Sequence, residues 1–124
     1  MRALLDTHAV LWALSDDPRL SSAARSLVEN LDNDLLVSAV SAWEVGVKVA
    51  LGKLEAPEGF EAAVLDAGFA VRSIGFPECE VLRTLERHHR DPFDRMLVAQ
   101  ALVDGLPIVT KDSAIGSYPV QTIW

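Results

Sequence analysis

The sequence predicts a three-layer α/β/α sandwich built on a central parallel sheet of four to five strands. Short, apolar runs such as "DLLVSAV" and "LPIVT" alternate with helical patterns, the signature of a parallel sheet covered on both faces. Half of the 124 residues are hydrophobic, enough to supply one core in one domain. No repeat, low-complexity tract or linker divides the chain, so residues 1–124 are expected to form that single domain.

Each element has its own local reason. "RALLD" reads as a buried strand ending in Asp6, and a helical stretch follows from about His8 to Leu14. "SSAARSLVENL" is a helix that Ser21 or Ser22 can cap, and "DLLVSAV" is the second strand. "SAWEVGVKVALGKL" reads as a helix opened by Ser41 and closed at Gly52. "GFEAAVLDAG" is a further helix ending at Gly68, followed by "FAVRSIG" as the third strand. "PECEVLRTLERHH" and "DPFDRMLVAQALVDG" read as two more helices, the latter ending at Gly105. "LPIVT" is the fourth strand, "KDSAIGSYP" a turn, and "VQTIW" a possible last strand. Right-handed crossovers between parallel strands give this order a doubly wound, flavodoxin-like winding.

Composition limits the function classes. A single cysteine, Cys79, excludes an internal disulfide and fits a reducing cytoplasm. The apolar start is interrupted by Asp6 and His8 and lacks a small-residue cleavage site, so no signal peptide is expected. No apolar run is long enough to span a membrane. The formal charge of −7 makes a poor non-specific nucleic-acid binder. A nucleic-acid partner therefore requires bound cations or a local basic patch.

The topology sends four acids to the carboxyl edge of the sheet, where sites form in this fold class. Asp6 ends the first strand, and Asp112 lies just past Thr110 at the end of the fourth. Glu44 is expected in the first turn of the helix after the second strand. Asp94 opens the helix that runs back, through a tight turn at Gly105, into the fourth strand. Each acid has an ordinary role: Ser41 and Glu44 match a capping box, Asp94 complements a helix dipole, Asp112 can hold a turn and Asp6 can cap a helix. Together they repel one another unless cations neutralise them. Oxygen donors of this kind suit Mg²⁺ or Mn²⁺ rather than zinc, and such ions in an acidic pocket serve phosphodiester cleavage.

These stretches resemble the PIN-domain ribonucleases, and among them the VapC-type toxins of toxin–antitoxin pairs. The resemblance rests on "LLDTH", "SAVSAWEVGVK", "HHRDPFDRMLVAQA" and "IVTKD" followed by "YPVQTIW", in this order across essentially the whole chain. It implies a PIN-like fold and Mg²⁺ or Mn²⁺ held by Asp6, Glu44, Asp94 and Asp112. It further implies endonucleolytic cleavage of single-stranded RNA, inhibition by a cognate antitoxin, and a homodimer. The family pattern favours Asp94 over its neighbour Asp91, which with Pro92 reads as the helix start.

Smaller features carry two readings each. Thr7, Ser38 and Thr110 can bond to carboxylates, though satisfying loop backbone is the preferred reading. Lys48 reads as an i,i+4 partner of Glu44, with a phosphate contact as the alternative. The stretch Arg83, Arg87, His88, His89, Arg90 and Arg95 is either a solvated helix end or an RNA-binding patch. Neither His88 nor His89 is expected to act as a general acid. Trp12, Trp43 and Trp124 are expected in the core, with an interface as the alternative. A receiver-like phosphoacceptor domain shares the fold class but needs an aspartate ending the third strand, where "RSIGF" has none. A non-catalytic binding module on the same fold would be marked by a lost carboxylate, and none is lost.

Overall fold

The computed structural model describes residues 1–124. Five parallel strands, β1 (Arg2–Leu5), β2 (Asp34–Ser38), β3 (Ala70–Arg72), β4 (Ile108–Val109) and β5 (Thr122–Ile123), form one sheet in the order β3-β2-β1-β4-β5. The winding is double, and its direction reverses between β1 and β4. The crevice at such a reversal is where ligands bind in open α/β sheets. Leu5 is the last residue of β1, and its register partners are Val37 and Val109. The next row at the carboxyl edge is therefore Asp6, Ser38 and Thr110.

Six helices cover the sheet: α1 (Thr7–Leu14), α2 (Ser22–Glu29), α3 (Ala39–Ala50), α4 (Phe60–Asp66), α5 (Phe76–Leu82) and α6 (Pro92–Asp104). Strand residues alternate between two cores, as a side-chain period of two requires. Ala3, Leu5, Leu35, Val37 and Val109 face a core with Val10 and Trp12 of α1, Ala24 of α2 and Val64 of α4. Leu4, Leu36 and Ile108 face the other, with Val40 of α3 and Met96 to Ala99 of α6. No helix is long and apolar enough to cross a membrane.

Two helices depart from the sequence reading, for identifiable reasons. The helix expected to open at Ser41 starts at Ala39, because Ser38 at the end of β2 accepts from Val40 N–H (3.0 Å) and caps it. Ser41 is thus inside the helix and fully buried, there is no capping box with Glu44, and Glu44 falls in the second turn rather than the first. The helix expected from Pro77 to His89 ends at Leu82. The segment beyond it is tied to a distant side chain instead. The Tyr118 hydroxyl accepts from His88 N–H (3.1 Å) and His89 N–H (3.0 Å) and donates to Glu86 C=O (2.8 Å). Arg95 donates to Leu85 C=O and Glu86 C=O (3.2 and 2.9 Å). The loop's polar backbone finds these partners in place of helical ones.

Helix α6 follows expectation closely. Asp91 caps it, accepting from Phe93 N–H (2.8 Å) and Asp94 N–H (3.3 Å), and Pro92 occupies the first turn. Gly105, at φ 66°, ends it in a left-handed turn that leads into β4. The tight return places the N-terminus of α6, with Asp94, at the carboxyl edge of the sheet.

At the opposite end of α6, Arg72 donates to Asp104 (2.8 and 3.2 Å) and to Glu78 (2.6 Å). Gln100 also donates to Glu78 (3.2 Å). This buried network fastens β3, α5 and α6 together. Burial pushes the Glu78 carboxyl upward, but Gly75 N–H, Arg72 and Gln100 outweigh it and hold the pKa at about 2.

Candidate acidic site at the carboxyl edge

Asp6, Glu44, Asp94 and Asp112 line one cavity of about 500 Å³. They come from the end of β1, the middle of α3, the start of α6 and the loop after β4, so the tertiary fold alone unites them. Asp91 lines the same cavity, as do Lys48 and Lys111.

Asp6 is buried and caps α1, accepting from Ala9 N–H (2.7 Å). Burial raises its pKa, against the opposing Thr110 hydroxyl and Ala9 N–H. Thr110 also accepts from Asp112 N–H (3.0 Å), so it serves both the carboxylate and the loop backbone. Glu44 is only 3% exposed. Thr7 donates to its Oε1 at 2.6 Å and contacts Ser41 at 2.9 Å, while Lys48 pairs with its Oε2. The i,i+4 reading of Lys48 therefore holds. Thr7 departs from the backbone role preferred for it, whereas Ser38 fulfils that role.

Asp94 is the most perturbed of the four. Burial first, then the charges of Asp91 and Glu44, push its pKa up to about 7. Asp112 moves the other way. Burial works to raise it, but the His89 side chain and Ala114 N–H (2.8 Å) outweigh burial and lower it.

His89 joins these two acids and was not foreseen in that place. Its Nε2 lies 2.8 Å from Asp112 Oδ2 and 3.1 Å from Asp94 Oδ2. Its Nδ1 accepts from Asp91 N–H (3.1 Å), which puts the ring proton on Nε2. His89 is thereby a donor that spaces two carboxylates. The sequence could not place it, because its position depends on a loop fixed by Tyr118, far away in the chain.

The tryptophans divide. Trp12 is buried in the core and also lines the cavity, with Lys111 over its ring (5.4 Å) and Trp124 packed on it (5.8 Å between ring centres). Trp43 is 52% exposed, contrary to a core role, and packs edge-on against Phe93 at 4.6 Å. The buried face of α3 is carried by Val40, Ser41, Glu44 and Val45, and Trp43 lies off it.

The carboxylate oxygens suit a hard divalent cation, and their like charges already raise Asp94. The group whose ligand atoms all lie within 4.8 Å of one another is His89, Asp94 and Asp112, so Asp6 and Glu44 line the cavity without joining that group. The only balancing charges lining the cavity at neutral pH are Lys48 and Lys111, with His8 the one other titratable base.

Three comparisons bear on this architecture. Residues 3–120 match the family described as PIN domain. The chain is 28% identical over 128 residues to Ribonuclease VapC22 of Mycobacterium tuberculosis, covering 98% of this chain and 97% of that protein. A shorter stretch of 53 residues is 42% identical to Ribonuclease VapC16 of the same organism, covering 40% of this chain and 38% of that protein. Among solved structures, VapBC2 from Rickettsia felis bound to a promoter DNA fragment superposes with a TM-score of 0.66 at 17% identity, covering 99% of this chain and 98% of that one. FitAcB from Neisseria gonorrhoeae gives a TM-score of 0.65 at 19% identity, covering 100% and 97%. At these identities the two structures speak for the fold.

Proposed function

The chain belongs to the PIN-domain family, and from that premise we propose that it is a VapC-type toxin, an Mg²⁺- or Mn²⁺-dependent endoribonuclease that cleaves single-stranded RNA. The observation that carries this reading is the meeting of Asp6, Glu44, Asp94 and Asp112 on one cavity. A divalent ion bound there lowers the pKa of a water and stabilises charge on the leaving oxygen. The family relatives named ribonucleases support the nuclease class.

The residues of the chain divide the work. Asp6, Asp94 and Asp112 would hold the cation, and Glu44 would join them while Thr7 fixes its orientation. His89 spaces Asp94 from Asp112. Lys111, which has no ion-pair partner, is the lining cation able to meet a phosphate over the cavity, since Lys48 is paired with Glu44. Single-stranded RNA suits a site with such buried acids better than a duplex, because a strand end or loop can bend into it.

A cognate antitoxin is the proposed inhibitor, in keeping with a toxin–antitoxin complex from Klebsiella pneumoniae that shares the fold (TM-score 0.61 at 15% identity, covering 98% of this chain and 96% of that one). A homodimer is proposed as well. Trp43, Val47 and Leu51 form an exposed apolar ridge at helical spacing along α3, a surface of the kind that associates.

The deciding experiment incubates the purified chain with unstructured RNA, with Mg²⁺, Mn²⁺ or EDTA, beside Asp6→Asn and Asp94→Asn. Sequencing RNA 5′ ends after induction in cells then finds the target. Metal-dependent cuts that vanish in both variants are expected. A fully active Asp94→Asn protein would sink the assignment.

A further inference from the structure

Beside the carboxylate cavity lies a second one, of about 480 Å³, lined by Leu82, Arg87, His89, Arg90, Pro92 and Arg95. It has three arginines and no carboxylate on its walls, in a chain whose formal charge is −7. Six of the 11 lysines and arginines are ion-paired: Arg2, Arg19, Arg25, Lys48, Arg72 and Arg83. Three of the remaining five line this cavity, so it gathers most of the unpaired positive charge of the molecule. The basic stretch of the sequence thus divides. Arg83 pairs with Glu80 and His88 with Glu86, while Arg87, Arg90 and Arg95 stay free of acids. Nor is it a solvated helix end, because α5 stops at Leu82 and Arg87 and Arg90 stand on the loop.

That loop is held in shape. Arg95 and Tyr118 fasten its backbone at Leu85, Glu86, His88 and His89. Arg87 and Arg90 are exposed, but their backbone is anchored on either side, which reduces the ordering cost of binding. The two cavities are neighbours through His89. His89 lines the basic one, and its Nε2 faces Asp94 and Asp112 of the acidic one.

We propose that the Arg87–Arg90–Arg95 cavity binds a backbone phosphodiester of the RNA strand whose neighbouring linkage lies at the carboxylate rim. This rests on the ribonuclease reading. A strand crossing the rim and passing over His89 sets its next phosphate among guanidiniums, whose planar forks match phosphate oxygens. Arg87 and Arg90 supply the contact, and Arg95, already committed to the loop carbonyls, adds charge from behind. The contact positions RNA without reading its bases.

The test separates binding from cleavage. Binding of an unstructured fluorescent RNA is measured against salt concentration in an Asp6→Asn background with Mg²⁺, with and without Arg87→Ala/Arg90→Ala. Each phosphate contact to a single strand contributes a slope of about 0.7 in log K against log salt, so the double variant, which loses the one phosphate contact, should lose about 0.7. Across a fourfold rise in salt, the parent should then weaken about 2.6-fold more than the variant. Arg83→Ala removes one positive charge outside the cavity and should leave the slope unchanged. An unchanged slope in the double variant overturns the proposal. So does an equal loss from Arg83→Ala, which would indicate general attraction only. Unmoved RNA binding with weakened capture of an acidic partner protein would reassign the cavity to that partner. If the chain with Asp6 intact cuts no RNA but the slope still falls, the nuclease reading fails and the phosphate subsite stands.

Discussion

Replacing Asp94 by Asn should make the metal-free protein more stable while abolishing its proposed activity. The Asp94 carboxyl has its pKa raised from 3.8 to about 7 by burial and by the charges of Asp91 and Glu44. A carboxyl whose folded pKa is raised destabilises the fold when it ionises. The cost is absent below the unfolded value near 3.8, grows as pH rises, and is fully developed above about 7. Three units at about 1.4 kcal/mol each set a ceiling of about 4 kcal/mol. Loss of the contact with His89 offsets about 1 kcal/mol of that, leaving a net gain of about 2–3 kcal/mol at pH 8. For a domain of this size that is a rise in melting temperature of roughly 10 °C. The assay is thermal unfolding of both proteins with EDTA from pH 4 to pH 8. The curves should lie close together at pH 4 and separate as the wild type loses stability. Added Mn²⁺ should then stabilise the wild type more than the variant, since binding to the folded state alone raises its stability. A variant equal to or less stable than the wild type at pH 8 without metal would refute the reasoning.

Other parts of the structure give outcomes as definite. Glu78 has a folded pKa of about 2 against an ordinary 4.5, so its contribution is fully present above 4.5 and lost as pH falls through 2. Glu78→Gln should cost about 3 kcal/mol at pH 7 and nothing near pH 2, measured by denaturant unfolding. Thr7→Val removes the 2.6 Å donor to Glu44 and should cost about 1–3 kcal/mol, with RNA cleavage slowed by about tenfold or more; melting and turnover are the readouts. Tyr118→Phe leaves His88 N–H, His89 N–H and Glu86 C=O without their shared hydroxyl, so hydrogen exchange at His88 and His89 should quicken while the β1 amides stay protected. Leu51→Glu on the exposed α3 ridge should lower the sedimentation mass toward a monomer if that ridge is the dimer contact.

Much of the site was legible because topology places strand ends. Asp6 and Asp112 follow β1 and β4, and the Gly105 turn returns Asp94 to the same edge, all from local signals. Glu44 was placed on the rim by the same logic, but its capping-box role was wrong. Ser38 closes β2 and caps α3 in one residue, so the helix begins earlier and Glu44 reaches the cavity from its second turn. His89 was out of reach for a different reason. Leu82 to His89 has ordinary helical content, and what stops the helix is a tyrosine hydroxyl and an arginine supplied by later segments. Propensity sums over neighbours in sequence and carries no information about such partners. Trp43 shows the same limit, since its exposure follows from which face of α3 packs inward, the face of Val40, Ser41, Glu44 and Val45.

On the proposed ribonuclease reading, the distribution of charge accounts for how an acidic chain would handle a polyanion. Bare carboxylates at the rim repel a phosphate, and Lys48, the nearest cation, is committed to Glu44. A divalent ion held there would offset part of that negative charge, which on the proposed reading would make the approach of RNA depend on the metal. The free arginines do not suffer this condition. They stand behind His89, outside the carboxylate cluster, where pairing with the rim acids would have cancelled them. Separation by one imidazole keeps both charges usable: the acids stay available to a cation, and the arginines to a phosphate. His89 donates to Asp112 and stands 3.1 Å from Asp94 Oδ2, so it spaces the two acids while its ring lines the arginine cavity. A fold that merely needed to neutralise its acids would have set Arg87 and Arg90 against them.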